Sequence, residues 1–187
     1  LFGEFVVGVF VNSDPATSHG DLRSSEHFAR FYRTHLPAVY GYLFRLSAGD
    51  RELAEDLTQD TWMALAREVR QGHDECADIR WLMTVARSRF LDHARRRQRA
   101  IRKLALVSST EQHADPPSRS EVLAGLSTLE PMHRLVLMLR YVDDLPVPTI
   151  AATIGRNVTA TNSLLARARA ELRAHHSTDR RRSRLDD

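Results

Sequence analysis

Three groups of side chains in this 187-residue chain have the types and spacing to do chemistry. Asp56, Gln59 and Asp60 fall at i, i+3 and i+4, so a helix gathers two carboxylates and an amide on one exposed side, away from Leu53 and Leu57. DNA repels such a face, whereas a basic protein surface accepts it through carboxylate pairing to Arg or Lys. A solvated acidic face is the alternative. Arg87, Arg89, Arg95, Arg96 and Arg97 then follow within eleven residues and run on into Arg99, Arg102 and Lys103. A row of that density suits phosphate contact, with binding that weakens steeply in salt. The third group lies near the end. Thr149–Ile154, Gly155 and Asn157 precede a helical run beginning at Val158, which is the pattern of a helix-turn-helix. In that motif the N-terminal part of the second helix enters the major groove. Thr159, Ala160, Asn162 and Ser163 are therefore candidate base-edge readers, and Arg167 and Arg169 candidate phosphate contacts.

The charge distribution supports two partners of opposite sign. Residues 50–75 carry eight acids against three arginines, while residues 80–103 carry nine bases against one acid, in a chain whose net charge is only +3. No nucleophile elbow, phosphate-binding loop or zinc spacing is present, so the reading is not an enzyme, with no cofactor, no metal and no small-molecule substrate. His73 and Cys76 are too few for a metal site. A single cysteine excludes an internal disulfide and points to the cytoplasm.

The elements that must position these groups are helices. Runs of period two are nearly absent, so the fold class is all-α: two small helical domains joined by a flexible linker. Residues 1–24 read as a flexible leader whose apolar start, Leu1–Val11, is too short to span a membrane and lacks a basic n-region. Residues 25–106 form the first domain. A helix over 25–46 buries Phe28, Phe31, Tyr32, Val39, Tyr40 and Leu43, with a kink or break at Pro37. A second, capped by Asp50, runs to about Arg70 on a stripe of Leu53, Leu57, Ala64, Leu65 and Val69. A third, capped by Asp78, reaches about Arg99 and buries Ile79, Leu82, Val85, Ala86, Phe90 and Ala94, with Trp81 as core rather than a base-stacking platform. Residues 107–119 are linker. Residues 120–176 form the second domain: a short helix over 121–129, one from Pro131 to about Val142 burying Leu135, Val136, Met138, Leu139 and Tyr141, then the helix-turn-helix, whose last helix turns Leu164, Leu165, Ala168 and Leu172 inward and ends near Ala174. Residues 177–187 read as a disordered basic tail.

In combination these segments resemble a known family. AEDLTQDTWMALAR (54–67) resembles region 2.2 of bacterial sigma factors, IRWLMTVARSRFLDHARRR (79–97) the adjoining regions 2.3 and 2.4, and residues 129–172 region 4. Two such domains with nothing between them resemble the extracytoplasmic-function (ECF) group of the sigma-70 family. The resemblance implies that Asp56, Gln59 and Asp60 dock on core RNA polymerase. It implies that Arg87, Ser88, Arg89, Asp92, Arg95, Arg96 and Arg97 form the −10 surface that captures a flipped base, and that the recognition helix reads the −35 element of promoter DNA. It also implies an anti-sigma factor as partner. A helix-turn-helix regulator acting without polymerase is the alternative function, and a pure protein-interaction module a third. Ser88 stands where the family often has Asn, Asn162 and Leu164 where it is commonly basic, and Thr161 where it is apolar, departures that imply a divergent promoter.

Overall fold

The computed structural model describes residues 22–73, 78–105 and 128–182. Among them every regular element is a helix: α1 Ser25–Leu46, α2 Arg51–Gln71, α3 Ile79–Ala105, α4 Pro131–Tyr141, α5 Val147–Ile154 and α6 Val158–Arg182. The short helix expected over 121–129 lies mostly outside the described residues, as do the linker and the leader.

Local chemistry sets most boundaries. Asp50 Oδ1 accepts the Leu53 amide at 3.1 Å and opens α2; Asp78 Oδ1 accepts the Trp81 amide at 2.7 Å and opens α3. Glu130 caps α4 through the Met132 and His133 amides, just ahead of Pro131. Gly72 (φ 85°) and Gly155 (φ 65°) close α2 and α5 in the left-handed conformation that a Cβ disfavours. Pro37 does not break α1. It sits on the exposed side of the helix, as does Arg33 one turn before it, so the amide bond that proline cannot make is lost at the surface and not in the core. Two helices outrun expectation. α3 continues to Ala105, and α6 continues through Ser177–Arg182, which were expected in a disordered tail; no Gly or Pro follows Gly155 to stop it.

α1, α2 and α3 pack pairwise, and α4 packs on α5 and α6. Tyr32 and Phe31 tilt against Trp62 (centroids 4.6 and 6.1 Å), while Thr58 and Thr61, buried on α2, turn their hydroxyls back to the Ala54 and Leu57 carbonyls. The expected stripes hold at Val39, Leu43, Leu57, Leu65, Leu82, Ala86, Phe90, Leu164, Leu165 and Ala168. Trp81 is half-buried against the core. Tyr141, expected inside, is 61% exposed, and on α1 Tyr42 is buried where Tyr40, expected inside, is only half-buried.

The two halves do not stay apart. α4 also contacts α1 and α3, and one contiguous apolar cluster runs from Leu22 through to Ala168. α4 explains this. Leu135 to Leu139 are five consecutive buried residues, which a helix lying on one surface cannot achieve. It is walled by its own domain on one side and by the first on the other.

Candidate polymerase and nucleic-acid surfaces

On α2, Asp56, Gln59 and Asp60 are all exposed, on the side opposite buried Leu57, Thr61 and Leu65. Glu55 beside them is taken by Arg51 at 2.7 Å, but neither Asp56 nor Asp60 has an ion pair among the described residues. Next to them lies an open hollow of about 750 Å³, lined by Tyr32, Leu36, Pro37, Tyr40, Trp62 and Met63, with Met63 51% exposed. Of the three, Gln59 lines this hollow together with Arg51 and Glu55, which gives it the apolar centre and polar rim of a protein-docking surface.

The basic row of α3 divides in two. Ser88, Arg96 and Arg97 are exposed, and Arg89, Asp92 and Arg95 half-buried. Arg96 Nε donates back to the Asp92 carbonyl at 3.3 Å. His93, between them, has its pKa lowered by burial and by Arg96 and Arg97, with Asp50 opposing. Arg87 and Arg95 instead engage the second half of the chain. Arg87 Nη2 lies 3.0 Å from Asp143, and its Nε donates to the Tyr42 hydroxyl at 3.3 Å; Tyr42 in turn donates to Asp143 Oδ2 at 2.8 Å. Burial, opposed by Arg87 and reinforced by Asp143, holds the Tyr42 phenol far above its ordinary pKa. Burial pulls Arg87 down, but Tyr42 and Asp143 outweigh it, so the guanidinium stays charged. Arg95 Nη2 donates to the Ile154 carbonyl at 2.8 Å.

A further arginine joins the halves. Arg134, 5% exposed, donates to the Leu46 carbonyl at 2.5 Å and to the Leu129 carbonyl at 2.9 Å. Leu46 ends α1, so the guanidinium meets the negative end of that helix's dipole. Burial, with Arg97 nearby, lowers its pKa to about 10. Neither the Tyr42–Arg87–Asp143 group nor Arg134 stands out in the sequence by motif. The available signal was the unbroken apolar run after Arg134, which forces its neighbours inside.

In the helix-turn-helix, Asn157 Oδ1 accepts the Ala160 amide at 2.7 Å and fixes the start of α6. Thr159, Asn162, Ser163, Arg167 and Arg169 are exposed and Ala160 half-buried, so this end of the helix presents the expected readers on its outer side. The Arg167 and Arg169 Nε atoms fold back onto the Ser163 and Leu165 carbonyls. Leu164 is 4% exposed and belongs to the core, so an apolar side chain there fills space and offers nothing to DNA. Thr161 is fully buried, and its hydroxyl is satisfied by the Asn157 carbonyl at 2.9 Å. His133 and Glu171 form a half-buried pair that ties α4 to α6. Among the described residues no group of three or more His, Cys, Asp or Glu side chains is placed to hold a metal.

Comparison with known proteins identifies the family. The family described as Sigma-70 region 2 matches residues 31–100, covering α2 and most of α1 and α3, and Sigma-70, region 4 matches residues 119–172, taking in α4, α5 and the first part of α6. The ECF RNA polymerase sigma factor SigM of Bacillus subtilis is 30% identical over 150 residues, 76% of this chain and 91% of that protein. The chain belongs to the ECF RNA polymerase sigma factors. SigE of Mycolicibacterium smegmatis, another ECF sigma factor, is 31% identical over 174 residues; the match takes in 86% of this chain and spans 66% of that relative's length. The sigma factor RpoE of Bartonella quintana, solved in complex with the anti-sigma factor NepR, shares the fold at a TM-score of 0.53 and 24% identity, covering 82% of this chain and 99% of that one. The family is not an enzyme class. None of the described helices in this sigma factor is long and apolar enough to cross a membrane.

Proposed function

We propose that this sigma factor docks on core RNA polymerase through α2, with Asp56 and Asp60 pairing to basic side chains, Gln59 hydrogen-bonding between them, and the hollow at Met63 taking an apolar side chain. α3 meets the −10 element through Arg87, Ser88, Arg89, Asp92, Arg95, Arg96 and Arg97. The start of α6 meets the −35 element, with Thr159, Ala160, Asn162 and Ser163 at base edges and Arg167 and Arg169 at phosphates. The protein catalyses nothing itself, works in the cytoplasm where its template lies, and is held in check by an anti-sigma factor, as RpoE is bound by NepR in the solved complex.

The observation that carries the reading is the pairing of neighbouring helices with opposite charge: an exposed, unpaired acidic face on α2 beside a cationic α3. DNA-binding alone has no use for the acidic face. The test is co-purification of the Asp56→Arg/Asp60→Arg variant with core polymerase, with helical content checked by circular dichroism. Each lost charge-assisted contact is worth about 1.5–3 kcal/mol, so the expected result is loss of the complex and of promoter-specific run-off transcripts. Undiminished co-purification refutes the assignment, and duplex binding that persists without polymerase favours a free-standing regulator.

A further inference from the structure

The outer side of α6 has a chemistry that the base edges of DNA do not all share. From Asn157 to Ala166 the chain carries no charged residue, and the first cation on the helix is Arg167. Over those turns Val158, Thr159, Asn162, Ser163 and Ala166 are exposed, at the i, i+1, i+4, i+5 and i+8 positions of one face. Val158 is 44% exposed, an apolar side chain standing in solvent where the helix begins. Leu164 is turned into the core, so it adds nothing to this face.

Hydrogen bonds within the helix narrow what each polar group can still offer. Asn157 Oδ1 is engaged at the cap by the Ala160 amide. Ser163 Oγ donates to the Thr159 carbonyl at 3.1 Å. A hydroxyl has one proton, so Ser163 meets a ligand only as an acceptor. The Asn162 amide makes no hydrogen bond among the described residues and keeps its donors and its acceptor. In the major groove guanine shows two acceptors, met by Arg or Lys, and cytosine an amino group, met best by a carboxylate. Adenine shows an acceptor beside an amino group, which an amide matches, and thymine a methyl group, which an apolar side chain matches. The α6 face has neither of the first two kinds of reader and has both of the others. Ser163 accepts an amino proton from adenine or cytosine and offers nothing to guanine.

We infer that this face reads A·T pairs: Asn162 bonds adenine at N6 and N7, Val158 packs on a thymine methyl, and guanine has no reader. The inference deepens the −35 assignment and rests on it, naming the bases that the helix selects. From Val158 to Ala166 the helix rises about 12 Å, which spans about three to four base pairs at a rise of about 3.4 Å each. The specific part of the element is therefore a short run of A·T pairs, and Arg167 and Arg169 hold its flanking phosphates without regard to sequence.

The test offers holoenzyme, assembled from the full chain and core polymerase, a pool of promoters randomised at the −35 positions, and sequences those retained. A·T pairs should dominate a window of about four positions. On the selected duplex, 7-deazaadenine at the adenine under Asn162 should cost the native holoenzyme about tenfold in affinity and the Asn162→Ala holoenzyme nothing further. Deoxyuridine in place of the thymine under Val158 should cost about fourfold, a penalty that Val158→Ala reduces. Asn162→Arg should move the preference at one position from adenine to guanine. Selection of guanine by the native holoenzyme, retention with no −35 preference, or analogue penalties that survive both substitutions would overturn the inference. Arg167→Ala/Arg169→Ala separates the two levels, since it weakens every sequence alike if α6 lies at the groove. Where it does so and guanine is selected, only the base assignment falls; where it has no effect, the placement of α6 falls with it. If the chain does not assemble with core polymerase, the same pool is offered to the full chain alone, so failure of docking at Asp56 and Asp60 leaves the base preference measurable.

Discussion

Replacing Asn157, at the mouth of the recognition helix, separates what holds α6 from what α6 touches. Its Oδ1 accepts only the Ala160 amide, at 2.7 Å, while the Thr161 amide and hydroxyl both use the Asn157 backbone carbonyl. Asn157→Ala therefore deletes a single cap and leaves the backbone pair in place. The cost is about 1 kcal/mol, or a fall of roughly 2–4 °C in Tm for a chain of this size. Asn157→Asp keeps the cap, and its charge gains about 0.3–1 kcal/mol from the helix dipole, so stability should be native or slightly higher. In the proposed promoter complex the same carboxylate faces DNA. Against each phosphate within about 4 Å it costs about 1 kcal/mol even at water-like dielectric, which is about fivefold in affinity. Thermal unfolding of the full chain followed by circular dichroism, together with titration of a −35 duplex on the holoenzyme across a salt series, reads both effects. The expected pattern is a crossing: Ala lowers Tm more than Asp does, and Asp weakens −35 binding more than Ala does. An alanine variant that melts with the native protein refutes the capping argument. An aspartate variant that binds −35 DNA like the native protein refutes the placement of this helix end at the groove.

Two further outcomes follow from buried groups. Thr161→Val exchanges a satisfied hydroxyl for a methyl at a fully buried position; the lost hydrogen bond of about 1 kcal/mol and the gained burial of about 0.8 kcal/mol nearly cancel, so urea unfolding should place it within about 0.5 kcal/mol of native, and a larger loss would mean that the hydroxyl has a role beyond its own satisfaction. His93 has a folded-state pKa below its unfolded value of about 6.5 because of burial and Arg96 and Arg97. The unfolded chain takes up that proton first, so stability present above about pH 6.5 is lost as pH falls towards the folded pKa. His93→Gln should lose less of its urea midpoint between pH 7.5 and 5.5 than the native chain, and parallel losses would contradict the assignment.

Much of the fold was legible because its punctuation is chemical. Asp50, Asp78, Glu130, Pro131, Gly155 and Asn157 each mark a helix end by a mechanism that needs no tertiary information. The acidic face on α2 and the outer side of α6 were legible for the same reason, since helical spacing alone sets which residues share a side. Periodicity failed where a helix is buried on more than one side. α4 was given a single stripe that took in Tyr141, whereas its neighbours bury residues all round and leave Tyr141 in solvent. The contacts of Arg87 with Asp143 and of Arg95 with the end of α5 were not legible, because no local pattern marks which guanidinium meets a group far along the chain. Leu164 looked like a missing charge, and only packing shows it as filled space.

The five successive buried residues of α4 leave that helix no side on which to change alone. A substitution that shifts it displaces Arg134 on the end of α1 and the Asp143 turn on α3 as well. α4 is thus a shared pivot: no substitution acts through it on one half of the chain without being felt in the other.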